Sequence, residues 1–281
     1  MSPRRGFTLL ELLVGMVIFA IIGALFTKLL TTQGRFFDKQ GMANSARNVS
    51  RGSLNRLVSD FRMIETSGGV IAASATSLTL RVPFAIGVVC SSNSVSTAVS
   101  MLPVDSVIYN APGFYGFAWR NAVTGVYTYV ENPAAQDKTT GQNACNTAAI
   151  TTLPQGRAAR ITPIVAGSSL GTPVFLYRRI RYEFKGSTAV PGKVGLYRTI
   201  IFPGGSEQTE ELVAPFASTA RYRFFVTGNN STAYDNPPAD LKTIRGIELN
   251  LDGLSEVRAS GQTANEKAPF TTAVFFKNRT T

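Results

Sequence analysis

An α+β fold is predicted, a long N-terminal α-helix packed on an antiparallel β-sheet head, and three observations predict it. The chain opens with a run of apolar residues from Phe7 to Phe26 broken by one charge, Glu11. Apolar residues then recur at three-to-four-residue spacing as far as Ile64, the pattern of a helix that lays one stripe on a core. Beyond Gly68-Gly69 apolar and polar residues alternate with period two, and no helical pattern separates these segments, which argues an antiparallel sheet.

The first half of the helix is apolar on all sides. Twenty helical residues rise about 30 Å, the thickness of a bilayer's hydrocarbon core. Arg4 and Arg5 suit the cytoplasmic flank of a single span. A secretory signal peptide would end in a small-residue cleavage site, which Ala20-Ile21-Ile22 and Ala24-Leu25-Phe26 do not supply. A twin-arginine signal, suggested by Arg4-Arg5 and Phe7, meets the same objection. A plain anchor leaves Glu11 unexplained, because a lone carboxylate in hydrocarbon is costly.

No proline stands between Pro3 and Pro83, so nothing breaks the helix at the end of the apolar run. Ala43, Ala46, Val49, Leu54, Leu57, Phe61 and Ile64 fall on one side of it, with Arg47, Arg51, Asn55, Ser59 and Arg62 on the other. The spacing predicts one helix from about Phe7 to Ile64, membrane-spanning in its first half and amphipathic in its second. Residues 7–64 are thus the helix and residues 65–281 a β-rich head.

Within the head, Leu78, Leu80 and Val82 alternate with Thr79 and Arg81 as a half-buried strand. Residues 91–100, rich in Ser, Asn and Thr, read as a loop or edge, and residues 132–152 as a polar surface excursion. Order returns in the second half. Ile180, Tyr182 and Phe184 alternate with charged neighbours, and Pro191-Gly192 then introduces Gly195-Leu196-Tyr197-Arg198 as the second arm of a hairpin. Tyr222-Phe224-Val226, Ile247-Leu249-Leu251 and the segment 271–278 supply further strands, while residues 229–240 with Pro237-Pro238 read as a turn-rich loop.

Charge and composition exclude more than they name. The net charge of +11 leaves an excess of +6 on residues 61–281, which allows either nucleic-acid contact or a solvated basic surface. Arg178-Arg179-Ile180-Arg181 and Arg221-Tyr222-Arg223, beside aromatic residues, are what a DNA-binding reading would use. The chain has no histidine, which removes Ser-His-Asp and Cys-His catalysis and His-containing zinc sites. No P-loop or Gly-x-Gly-x-x-Gly string is present. Asn229, Asn230, Asp235, Asn236 and Asp240 cluster oxygen ligands, but the string does not fit an EF-hand, and turn chemistry explains it. No enzyme, cofactor or metal site is expected. Cys90 and Cys145 can form a disulfide if the head is exported; two buried thiols are the alternative.

Gly6-Phe7-Thr8-Leu9-Leu10-Glu11 resembles the class III signal of type IV pilins and type II secretion pseudopilins. The resemblance implies that prepilin peptidase cuts between Gly6 and Phe7, leaving residues 1–6 as a leader, and that Phe7 becomes N-methylated. It also implies that Glu11 pairs with the N-terminal amine of a neighbouring subunit, which neutralises both charges. The implied partners are other pilin or pseudopilin subunits, prepilin peptidase and the inner membrane. The implied location is a single-pass inner-membrane protein with a periplasmic head, later part of a filament or the cell surface. Major pilins of the family usually carry a proline where this chain has Lys28, so a minor subunit is the nearer match.

The second half of the head carries a separate resemblance. Gly195-Leu196-Tyr197-Arg198, Glu210-Glu211-Leu212-Val213, Tyr222-Arg223-Phe224-Phe225, Ile244 to Leu249 and Phe275 to Arg279 occur in an order similar to that of the J-type minor pseudopilin and its pilus counterpart. The implied function is a structural subunit that helps initiate or cap a type IV pilus or type II secretion pseudopilus. The alternative is a surface-exposed binding module for DNA uptake or adhesion. Residues 85–170 carry no resemblance.

Overall fold

The computed structural model describes residues 8–108, 115–131, 136–137, 145–146, 149–152 and 156–276. The expected cleavage pair Gly6-Phe7 and the chain-end match from Lys277 to Arg279 lie outside the described residues.

One helix, α1 (Leu9–Phe61), occupies 53 residues, about 80 Å of rise. Thr8 caps it, accepting from the Glu11 N–H, while the Glu11 side chain reaches back to the Thr8 N–H, a reciprocal capping box. The far end tightens. Met63 N–H bonds to Asp60 O at 3.2 Å and Ile64 N–H to Phe61 O at 3.3 Å, so the last turn closes with three-residue spacing. Ile64 thereby leaves the helix yet stays fully buried. A Cβ on Gly69 would stand 2.3 Å from Ile64 Cγ2 and 2.4 Å from Glu65 O, so the chain can fold back this tightly only with glycine there.

The head follows as β1 (Val70–Ala73), β2 (Ser77–Ser92), β3 (Thr97–Met101), α2 (Pro103–Ile108), β4 (Gly116–Arg120), β5 (Tyr127–Glu131), β6 (Gln136–Asp137) and β7 (Arg157–Ile161). Its second half comprises β8 (Pro173–Gly186), β9 (Val194–Ile201), β10 (Glu207–Phe216), β11 (Arg221–Val226), β12 (Asn229–Tyr234), β13 (Ile244–Asn250), β14 (Gly253–Leu254), β15 (Lys267–Ala268) and β16 (Thr271–Phe275). All pairings among the described residues are antiparallel. The fold is α+β and pilin-like, a long apolar helix followed by an antiparallel head.

The head holds two sheets where the alternation pattern predicted one. The larger is ordered β15-β14-β10-β9-β8-β2-β3-β7-β6 with β1 on β2 and β4-β5 on β8; the smaller is β12-β11-β13-β16. Period-two patterning marks a strand's faces but not its partner, and both sheets present their apolar face to the end of α1. The Phe61 ring lies between them, 5.7 Å from Tyr182 of β8 and 6.4 Å from Tyr222 of β11.

The spine of the large sheet is the pair β2–β8, in register from Ser77↔Glu183 to Val88↔Pro173. Its lower half joins the main core with Leu57, Phe61, Ile180, Tyr182 and Leu249. Its upper half continues past α1 and carries a second core, with Val89, Met101, Phe117, Trp119, Ile161 and Leu176. Residues 85–170, without resemblance in the sequence, thus include the described parts of a lobe mounted on an extended ribbon.

Two loop expectations give way to strands. β3 lies between β2 and β7 and is buried along its length, because its polar side chains find partners: Thr97 Oγ1 accepts from Val165 N–H at 3.0 Å and lies 3.2 Å from Ser92 Oγ. β12 pairs with β11 at the sheet's edge, where the ladder is made by backbone and tolerates the run Asn-Asn-Ser-Thr.

Candidate functional site

Among the described residues, α1 from Leu9 to Leu30 touches little of the head. Leu9 is 85% and Phe19 79% exposed, and Leu12, Leu13, Val17, Ile21, Leu25 and Phe26 are also open. The helix is long and apolar enough to cross a membrane. Unpacked apolar surface on this scale is unstable in water and requires lipid or other helices around it.

Glu11 stands in the first turn of this apolar surface. Its Oε2 accepts from Thr8 N–H at 3.0 Å and from Thr8 Oγ1 at 3.1 Å. A carboxylate at a helix N-terminus also meets the positive end of the helix dipole. In the isolated chain, then, Glu11 is held by its own cap. The Thr-x-x-Glu spacing at Thr8 and Glu11 is the signal of this cap in the sequence.

The second half of α1 is seated on the head by small residues. Ala46, Ser50, Ser53, Leu57 and Phe61 are its buried positions. Ser50 Oγ donates to Leu251 O at 2.7 Å and accepts from Gly253 N–H at 3.1 Å. A Cβ on Gly253 would stand 2.1 Å from Ala46 O, so the backbone of β14 lies directly on the helix. Tyr182 Oη donates to Asp60 at 2.5 Å near the upper end of the seat. Burial, with the Asp60 carboxylate beside it, pushes the Tyr182 hydroxyl far above its usual range. Ser260 N–H donates to Asp38 at 2.6 Å near the lower end, and that hydrogen bond lowers the Asp38 pKa.

The segments that carried the second resemblance meet in space. Tyr197 of β9 donates from its hydroxyl to Glu211 of β10 at 2.9 Å. The turn after β8 wraps the same carboxylate: Ser187 Oγ, Thr188 N–H at 3.0 Å, Thr188 Oγ1 at 2.5 Å and Ala189 N–H at 3.1 Å all donate to it. Partial burial works against ionisation, but these donors outweigh it and lower Glu211 from 4.5 to about 2.

In the upper lobe Cys90 and Cys145 are bonded, with Cα atoms 5.3 Å apart, and both are fully buried beside Ala98, Ala158 and Ile150. The bond fastens chain beyond β6 to the middle of the lobe. Where the lobe meets α1, a cleft of about 390 Å³ opens between Arg62, Met63, Phe84, Asp105, Tyr127 and Phe175.

The arginines of the DNA-binding reading are engaged within the head. Arg181 pairs with Glu207 at 2.6 Å, Arg223 with Glu248 at 2.8 Å, and Arg221 with Asp235 at 3.3 Å. Arg178 lies over the Phe84 ring at 4.5 Å, and Arg179 donates to Tyr115 Oη at 2.9 Å. Asp235 takes Arg223 as well, and Asp240 caps the turn at Leu241–Thr243.

With this geometry in place, comparison with known proteins supplies one match. Residues 1–27 match the family model for the prokaryotic N-terminal methylation motif. The matched stretch contains Gly6, Phe7 and Glu11 together with the exposed apolar start of α1. It supports a pilin or pseudopilin, a chain anchored by its N-terminal helix, processed by a peptidase and assembled with other subunits of its kind. No curated protein and no solved structure matches the chain.

Proposed function

We propose that the protein is a minor pilin or pseudopilin, a structural subunit that helps initiate or cap a type IV pilus or a type II secretion pseudopilus. The observation that carries this reading is the methylation motif at the head of a helix whose first half is apolar, exposed and unpacked. The chain is cut between Gly6 and Phe7, and Phe7 is methylated. Residues 7–64 then act as membrane anchor and assembly helix, and residues 65–281 as a periplasmic head that reaches the filament or cell surface.

Glu11 has a role in both states. Before assembly its carboxylate is satisfied by Thr8. On assembly it exchanges that cap for the N-terminal ammonium of a neighbouring subunit, a stronger, charge-assisted partner in a water-poor setting. The lobe on the extended β2–β8 ribbon is the part of the head that partner subunits meet. The motif points to a structural role rather than catalysis.

Replacement of Glu11 by alanine tests this reading. The variant is expected to remain in the membrane fraction at wild-type level while its recovery in sheared filaments or co-isolated subunits falls at least about tenfold, the scale of one lost charge-assisted contact. Wild-type incorporation of the variant would overturn it.

A further inference from the structure

A short stretch just beyond the apolar run is unlike the rest of α1. Residues 28–39 carry Lys28, Arg35 and Lys39, at spacings of seven and four that keep them on one side of the helix. The adjacent Phe36 and Phe37 are 56% and 67% exposed, with their rings 6.1 Å apart. Asp38 is the sole acid of α1 between Lys28 and Arg56, and its carboxylate is turned to the head, accepting from Ser260 N–H.

That hydrogen bond brings a head loop to the same level. Val257 is 59% exposed, Arg258 is exposed beside it, and Gly261 lies against Arg35. Glu256 is an exposed acid in this loop and offsets Arg258. With Asp38 counted, residues 28–39 keep a net charge of +2, and exposed aromatic and aliphatic groups lie among the cations.

The level fits a membrane surface. If the hydrocarbon ends near Leu30, Arg35 stands about 8 Å further along the axis, at the outer margin of a headgroup layer about 5 to 8 Å deep. Lys28 can extend its chain outward to the same layer. The backbone at Phe36, Phe37 and Lys39 stands about 9 to 14 Å beyond Leu30, but helical side chains lean toward the N-terminus, which carries these groups back toward the outer face of that layer. Aromatic rings at a membrane interface and cations facing lipid phosphates are each favourable. We propose that residues 28–39 of α1, with the loop at residues 256–260, form a collar that binds the headgroups of anionic phospholipids. This rests on the reading that the start of α1 spans the membrane. The collar holds the head close to the bilayer and fixes how far the helix is drawn out until assembly extracts it.

The full chain carrying Phe37→Trp, reconstituted in phosphatidylcholine vesicles with one fifth phosphatidylglycerol, provides the test. Trp119 is 3% exposed within the head and gives a constant background. Bromine is placed on one lipid or the other, and quenching of the new tryptophan reports its neighbours. The expected result is a ratio of phosphatidylglycerol to phosphatidylcholine around the tryptophan about fivefold above bulk, the scale of one cation at an anionic surface, so that phosphatidylglycerol makes up roughly half of its neighbours. Adding K28Q, R35Q and K39Q is expected to abolish the enrichment, whereas R47Q with R51Q, well outside the headgroup layer, is expected to leave it unchanged.

Quenching in bulk proportion, enrichment that survives the first set of changes, or no quenching because other subunits cover the collar would overturn the inference. Co-flotation with pure phosphatidylcholine vesicles separates this from the membrane reading. A chain that floats without lipid preference refutes only the collar. A chain that fails to float refutes the span and the collar with it.

Discussion

Ser50 and Gly253 meet where the helix crosses from one sheet to the other. The serine hydroxyl accepts from the glycine N–H at 3.1 Å and donates to Leu251 O at 2.7 Å, just where the chain leaves β13 of the small sheet for β14 of the large one. A single small side chain thus bridges two backbone groups of a buried crossover that also bond each other, Gly253 N–H to Leu251 O at 3.0 Å. Gly253→Ala is expected to destabilise the head by about 3 kcal/mol, because its methyl would fall on the Ala46 carbonyl with nowhere to move. Ser50→Ala is expected to cost about 1 kcal/mol, because the two groups lose the serine and keep only their bond to each other. Urea unfolding of the detergent-solubilised chain measures both; a Gly253→Ala variant as stable as wild type would mean the helix is not seated here.

Phe61 fills the space between the two sheets. Phe61→Ala is expected to cost about 4 kcal/mol, as a large cavity in a core that joins three layers. Leu at this position keeps most of the volume, so Phe61→Leu should lose less than half as much. Thermal unfolding followed by near-ultraviolet circular dichroism reads the difference.

How much of this was legible follows from which residues face inward. Long periodic patterns marked α1 and the alternating strands β8, β11 and β13, since their buried side chains are mostly apolar. The seat was legible only in part: Ala46, Leu57 and Phe61 stand in the apolar stripe, whereas Ser50 and Ser53 are polar, Ser50 bonding to partners about two hundred residues away and Ser53 back to its own helix at Val49 and Ser50. Thr97 hid β3 in the same way. The division into two sheets and the raised lobe depend on which strands pair, and local patterning carries no record of a β2–β8 register that joins Ser77 to Glu183. At the candidate site, Glu11 stood out because a charge in an apolar run demands a reason, while its partner Thr8 did not.

Glu211 makes the β8–β9 turn sensitive to acid. Its pKa in the fold is about 2, below the ordinary 4.5, so the folded state favours the carboxylate. The stability this supplies is fully present above pH 4.5 and is lost as pH falls from 4.5 through 2. Glu211→Gln should therefore lower the midpoint of thermal unfolding at pH 7, and the gap from wild type should close between pH 4.5 and 2. A gap that is constant with pH would show that the carboxylate's charge is not what the turn holds.

The Cys90–Cys145 bond closes a loop with a sequence separation of 55, worth about 4 kcal/mol on the chain-entropy model. Reduction, or Cys90→Ser with Cys145→Ser, is expected to loosen the upper lobe while leaving the core around Phe61 folded, because the bond lies in a separate cluster. Hydrogen exchange resolved by segment would show faster exchange at β3 and β7 and little change at β13. Two thiols that react with an alkylating agent before reduction would contradict the bond.

The central claim is that residues 1–6 are a processing signal and that α1 begins life as a methylated N-terminus. Mass spectrometry of the chain extracted from membranes of a host with prepilin peptidase tests it most directly. The expected species begins at Phe7 and carries one added methyl group. A chain that begins at Met1, or one cut within the apolar run, would contradict it.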